Sequence, residues 1–148
     1  MRILKLNEKD IQKIIDLDIA SFGLNYDLPA ITEKQVRKIL GKGIILGIKE
    51  NGILISNIQV AEKKKNVWFI EGIATIPEKQ HKGLAEILLK KAIKISRQKR
   101  IMKISALIRP CNQKSINLFL KNGFKKIKII ENYYGKGKDR ILAELAIK

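Results

Sequence analysis

Residues 67 to 98 leave the chain few ways to fold. VWFIEGIATI is almost continuously apolar, the composition of a central strand buried on both faces of a sheet. It passes through Pro77 and EKQHK into Gly83, and from there into LAEILLKKAIKISRQ. In that stretch Leu84, Ile87, Leu88, Ala92 and Ile95 recur at helical spacing with lysines opposite. A central strand must therefore hand over to a long amphipathic helix within a few residues. The start of a helix exposes unpartnered backbone N–H groups and a partial positive charge, so it receives anions readily. Gly83 and Ala85 keep side chains out of that first turn, and the spacing Q-x-x-G-x-A from Gln80 to Ala85 reads as a phosphate cradle. A plainer reading, in which Gly83 merely begins the helix, fits the spacing equally well.

The other elements follow from shorter signals. Residues 2 to 6 alternate as a strand, and Asn7 caps a helix over EKDIQKIIDLDIASF with Ile11, Ile14, Ile15, Leu17 and Ile19 on its inner face. The loop GLNYDLPA leads to Thr32, which caps a second helix ending at Gly41. GIILGIKENGILISNIQVAE holds two strands joined at Asn51-Gly52, a pair suited to a type I′ hairpin turn, and lysines 63 to 65 with Asn66 turn the chain into the central strand. Beyond the long helix, MKISALI is a strand, and Asn112 or Ser115 opens a helix over SINLFLKN that Gly123 stops. FKKIKII and DRILAELAI are two last strands around ENYYGKGK. The order β-α-α-β-β-β-α-β-α-β-β predicts an α/β (α+β) chain with a mixed sheet and helices on its faces. With 148 residues and neither repeat nor linker, residues 1–148 read as a single domain.

Composition removes several function classes. Cys111 has no internal partner for a disulfide, and His81, the only histidine, argues against a metal site. No apolar run approaches the roughly 20 residues of a membrane span, and charges interrupt MRILKLNEKD too early for a secretory leader. These features predict a cytoplasmic protein with no membrane partner. Thirty-one basic residues against 14 acidic ones give a net charge of +17. That surplus raises nucleic acid or ribosome contact, yet the lysines run along the whole chain with few aromatics as stacking platforms. A solvated lysine-rich surface that favours anionic ligands explains it as well. G-x-x-x-x-G-K-S/T is absent, and neither Gly41-Lys42-Gly43 nor Gly135-Lys136-Gly137 extends to G-x-G-x-x-G, which weakens kinase and dinucleotide readings.

GIATIPEKQHKGLAEILL resembles motif A of the GNAT superfamily of N-acetyltransferases, and RPCNQKSINLFLKNGF, residues 109 to 124, resembles its motif B. The resemblance spans nearly the whole chain and is closest to the ribosomal-protein alanine and N-terminal protein acetyltransferases. It implies the GNAT fold, a mostly antiparallel twisted sheet of about seven strands with helices on both faces. It also implies acetyl-coenzyme A as co-substrate and a primary amine as acceptor, with no metal. The resemblance puts the backbone of Ile73, Ala74 and Thr75 on the pantetheine arm and acetyl carbonyl. Gln80, His81, Lys82, Gly83, Leu84, Ala85 and Glu86 surround the pyrophosphate, and Asn112 touches the cofactor further along. A monomer and a dimer are both compatible with it.

The acceptor amine must be neutral to attack a thioester, and the departing thiolate gains from a proton donor. An α-amino group of pKa near 8 is about 10% neutral at pH 7, a lysine amine below roughly 0.1%. Where the alanine acetyltransferase branch carries a Glu before the motif B Arg and a Tyr in the motif B helix, this sequence has Leu107 and Phe119. Glu71, a carboxylate inside an apolar strand, is the substitute base, and burial would raise its pKa toward a useful value; a structural salt bridge is the alternative. For the acid, Tyr133 or Tyr134 is available, and Tyr133 is taken as the catalytic candidate. Tyr133 and Tyr134 also resemble the loop that lines a peptide slot in N-terminal acetyltransferases, with Phe22 and Tyr26 as its opposite wall. Cys111 reads as a packed residue, since direct transfer needs no covalent intermediate. The expected function is acetylation of protein or peptide N-termini, including ribosomal ones. The alternatives are a polyamine or small-amine acetyltransferase and a non-catalytic acyl-coenzyme A sensor or ribosome-binding module.

Overall fold

The computed structural model describes residues 2–22 and 26–147, and its elements follow the predicted order. β1 (Ile3–Lys5) is followed by a 3-10 turn at Glu8–Asp10 and then α1 (Ile11–Phe22). Asn7 caps the turn rather than the α-helix itself: its Oδ1 accepts from Lys9 N, and its own N–H donates to Asp10 Oδ2. A second reciprocal box, Thr32 with Gln35, starts α2 (Glu33–Lys42). Gly23, Leu24 and Asn25 of the predicted connecting loop lie outside the described residues.

α2 runs into β2 (Gly43–Glu50) without a connecting loop. Asn51 and Gly52, at φ 52° and 79°, turn β2 into β3 (Ile53–Lys64) as the type I′ signal predicts, and Asn66 at φ 63° turns β3 into β4 (Val67–Thr75). α3 (Leu84–Gln98), β5 (Lys103–Ile108), α4 (Gln113–Lys121), β6 (Lys125–Ile130) and β7 (Arg140–Ala146) complete the chain. The strands form one seven-stranded sheet in the order β1-β2-β3-β4-β5-β7-β6, antiparallel throughout except for the β4–β5 pair. α1 and α2 cover one face over Leu6, Ile45 and Leu54; α3 and α4 cover the other over Ile58, Ile104 and Phe124. This is the mixed, mostly antiparallel sheet that the motif resemblance implies.

Two predicted helix faces are corrected. Ile19 is 54% exposed, because at 3.6 residues per turn it lies about 140° round α1 from the buried Ile14. On α3 the buried stripe is turned toward Leu89 and Ile93, which leaves Ile87 at the surface. A third correction concerns β4. It is the central strand, but only Trp68, Ile70 and Ala74 along it are buried, and from Glu71 to Thr75 it borders open cavities as well as α1.

Gly43 permits the abrupt passage from α2 to β2. A Cβ there would sit 1.9 Å from the Val60 carbonyl oxygen on the neighbouring strand. Gly43→Ala is therefore expected to lower unfolding free energy by about 2 kcal/mol or more, the cost of forcing a core contact apart. Urea denaturation checks this, and a loss under roughly 0.5 kcal/mol would mean that the joint relaxes freely.

Candidate active site

β4 and β5 pair in parallel only from Val67 with Lys103 to Ile70 with Ala106, although both strands continue further. β4 stays with β3 as far as Thr75, and β5 stays with β7 as far as Ile108. The sheet therefore splits, and the backbone of Glu71 to Thr75 has no strand on its β5 side. Ile76 N donates to Ile55 O, and Ser56 Oγ donates to Ala74 O, so the free edge is held firmly from the β3 side.

The chain past that edge is built to present amides. Gln80 Nε2 donates to Thr75 O at 3.0 Å and ties the loop back to the strand. His81 and Gly83 both take positive φ, 65° and 78°, and nothing stands within 4 Å of where a Gly83 side chain would begin. The first bond of α3 runs from Ile87 N to Gly83 O, and no side chain caps the helix. Among the described residues, no acceptor lies on the backbone N–H groups of residues 81 to 86. A row of free amides at a helix start is an anion cradle, so these residues fit a pyrophosphate without any charged side chain.

Two adjoining cavities meet at the split. The first, about 500 Å³, is bordered by Ile73, Ala74, Thr75, Gln80, His81 and the first turn of α3 through Glu86. The second, about 370 Å³, is bordered by Glu71, Tyr26, Tyr134, Leu107 and Arg109. Phe22, Ile73, Asn112 and Ser115 border both. Asn112 caps α4 by accepting from Ser115 N at 3.1 Å. Of the predicted cofactor residues, only Lys82 borders neither cavity, and of the predicted acceptor residues only Tyr133 does not. Tyr133 is 46% exposed and packs edge-on against Tyr134, with ring centroids 4.7 Å apart.

Glu71 occupies a β-bulge. Gln59 opposes Gly72 and Val60 opposes Ile70, so Glu71 is the extra residue. Trp68 and Ile70 join the α3 core while Ala74 joins the α1 core, so the alternation changes phase across it. Its carboxylate, with 24% of the side chain exposed, pairs with Lys63 Nζ at 2.7 Å, as the salt-bridge alternative foresees. Burial pushes the Tyr134 hydroxyl above its ordinary pKa, helped by Tyr133 and by the charge of Glu71. Burial likewise raises Tyr26. Both phenols therefore stay protonated at neutral pH.

A charged latch stands beside the second cavity. Arg140, 2% exposed, donates from Nη1 and Nη2 to both carboxylate oxygens of Asp27, at 2.9 and 2.7 Å, and Arg109 Nε lies 3.6 Å from Asp27 Oδ2. Arg109 sits over the ring of Tyr26 and Arg140 over that of Tyr134, so the latch also holds two aromatic walls. Arg140 holds the Asp27 carboxyl below its ordinary range.

Residues 11–124 match the acetyltransferase (GNAT) family. The chain belongs to that family. It is an acetyl-coenzyme A-dependent N-acetyltransferase. An N-alpha-acetyltransferase of Saccharolobus solfataricus is 26% identical over 144 residues, covering 90% of this chain and 85% of that one. The crystal structure of the ribosomal-protein-S18-alanine N-acetyltransferase from Escherichia coli superposes with a TM-score of 0.84 at 20% identity, over 99% of this chain and 94% of that one. The PaiA N-acetyltransferase from Thermoplasma acidophilum, solved in complex with coenzyme A, gives 0.78 at 21% identity and covers 98% of each chain.

In this GNAT enzyme Phe119 packs edge-to-face on Phe124 at 5.0 Å, and both Phe119 and Leu107 border the second cavity as apolar walls. Sequence reading missed Asp27, Arg140, Arg109 and Lys63. Asp27 and Arg140 stand 113 residues apart, and no local pattern links them. Among the described residues no cluster of His, Cys, Asp or Glu is arranged to hold a metal ion, and no helix is long and apolar enough to cross a membrane.

Asp27→Asn would leave a buried guanidinium without its counter-charge, at a cost of about 3 to 5 kcal/mol. The double variant Asp27→Asn with Arg140→Met is expected to lose less than the sum of the two single variants, which a urea double-mutant cycle would read. Because Asp27 is depressed when folded, its stabilisation is present above the unfolded carboxylate pKa and is lost as pH falls through the lower folded value. The acid limb of wild-type stability should therefore be steeper than that of Asp27→Asn, and equal limbs would show that the pair contributes nothing.

Proposed function

We propose that this acetyltransferase acts on the α-amino group of protein or peptide N-termini. The observation that carries this reading is the charge of the acceptor cavity. Lys38, Lys63 and Arg109 border it against Asp18 and Glu71; Glu71 is paired with Lys63 and Arg109 with Asp27, so Lys38 balances Asp18 and no surplus of carboxylates is left to hold a polycation. A polyamine would bring two or more further cations into that space, whereas an α-amine is fractionally neutral at physiological pH. The names of the Saccharolobus and Escherichia coli enzymes point the same way.

Acetyl-coenzyme A, when bound, supplies the activated acetyl group; the residues of this chain bind, orient and move protons. Free amides of residues 81 to 86 hold the pyrophosphate, and the open edge of Ile73 to Thr75 holds the pantetheine arm and acetyl carbonyl. Phe22, Tyr26 and Tyr134 wall the acceptor slot. The Glu71 carboxylate takes the ammonium proton through water. Tyr134 assumes the donor role that the sequence assigns to Tyr133, because Tyr134 borders the cavity and stays protonated.

Glu71→Gln is expected to reduce kcat about 100-fold or more while leaving the KM for acetyl-coenzyme A unchanged, and Tyr134→Phe should slow turnover more than Tyr133→Phe. The deciding assay compares short peptides with free N-termini, spermidine and a lysine peptide with a blocked N-terminus. Turnover of spermidine alone would overturn the N-terminal reading. Coenzyme A binding without turnover of any amine would favour a sensor.

A further inference from the structure

The surplus charge is uneven in space. From Glu8 to Lys42, the segment that covers the α1 and α2 face, six basic residues meet six acidic ones. From Leu84 to Ile130, which supplies α3 and α4 on the opposite face, β5 and the edge strand β6, thirteen basic residues stand against Glu86 alone. That segment carries +12 of the total +17. Three of its thirteen cations are paired, Lys103 with Glu144, Arg109 with Asp27 and Lys121 with Glu86. The others have no carboxylate partner among the described residues.

We infer that the solvent face of α3 and the end of the sheet beside it dock on the phosphate backbone of folded RNA. Lys90, Lys94 and Arg97 recur at helical spacing, a stripe about 10 Å long, and Arg100 stands just beyond the helix. Met102 N donates to Asn66 O, which brings the β3–β4 turn with Lys64 and Lys65 to the same end of the sheet. This end is remote from the cofactor cavity, which opens where β4 finishes. The segment's aromatics, Phe119 and Phe124, are both buried, so the surface offers no stacking platform and reads charge rather than bases. The apolar side of α3 is consumed by the core, and along the helix and the end of the sheet beside it only Ile87 and Met102 are large exposed apolar side chains among the described residues, too little to enter a lipid surface. The choice of RNA over DNA rests on the proposed N-terminal activity, whose acceptors emerge beside ribosomal RNA.

The test measures fluorescence anisotropy of an RNA duplex of about 30 base pairs, the matching DNA duplex and anionic phosphatidylserine vesicles, each at roughly 50 to 200 mM KCl. RNA is expected to bind most tightly with a steep salt dependence. Charge reversal at Lys94, Arg97 and Arg100 (K94E/R97E/R100E) should raise its Kd at least about tenfold and flatten the salt slope by about 0.9 for each phosphate no longer neutralised, with coenzyme A binding unchanged. The control K5E/K9E/K13E makes the same change in charge elsewhere and should have little effect. Equal losses in both triple variants, tighter binding to vesicles or DNA, or no RNA binding at about 100 mM KCl would each overturn the inference. RNA binding is read without an acceptor, so failure of the peptide assay would sink the N-terminal reading separately.

Discussion

The parallel pairing of β4 with β5, and its end at Ile70 and Ala106, is the constraint on which the site depends. Parallel neighbours cannot be joined by a tight turn, so the chain must cross over the sheet, and α3 is that crossover. The helix start is thereby fixed at the finishing end of β4. Beyond Ile70 the two strands follow different partners, β4 with β3 and β5 with β7, and the sheet opens between them. One topological fact therefore yields both a free strand edge and an unpaired helix N-terminus, side by side. A backbone arrangement of this kind asks little of side-chain identity.

A sheet that splits needs a tie elsewhere. Asp27 precedes α2, on the side of the molecule whose helices cover β2 to β4; Arg140 begins β7 and Arg109 follows β5, across the split. Their charged cluster spans the open end where the parallel ladder has stopped. Burying a guanidinium is costly unless it is matched, and the bidentate geometry supplies that match while fixing the orientation of both partners. Tyr26 and Tyr134 lie against the same two guanidinium groups. Two aromatic walls of the second cavity are thus positioned by the same charged cluster.

The legible parts of this protein are those written in consecutive residues. The strand, Gly83 and α3 form one local pattern, as do the Asn51-Gly52 turn and the Thr32 cap, because each rests on backbone geometry within a few positions. Asp27 with Arg140 and Lys63 with Glu71 depend on the finished topology, so neither pair has a signature in the sequence. The bulge at Glu71 was hidden because VWFIEGIATI carries too few polar residues to reveal a change of phase. Ile19 and Ile87 failed for another reason: on a short helix an apolar residue near the edge of the stripe satisfies the pattern without facing the core. The imbalance of charge between residues 8 to 42 and residues 84 to 130 is visible in the sequence, but only the fold puts the helices of the two segments on opposite faces of the sheet.

The bulge gives the proposed base its setting. Without an extra residue, β4 would keep its alternation, and Ala74 would share the α3 face with Trp68 and Ile70. Inserting Glu71 turns the following residues over at the point where the parallel ladder ends. Glu71 is exposed as a residue while its side chain is only 24% exposed, so the opening lies in its main chain, toward the split. With Leu107 and Phe119 apolar, the proposed mechanism has only Glu71 and the protonated Tyr134 to move protons at the second cavity. The Lys63 pair leaves Glu71 with little net charge to draw in a polycation. An amine that is already partly neutral asks least of the proposed base, so in the proposed function the charge of the pocket and the acidity of an α-amine favour the same class of acceptor.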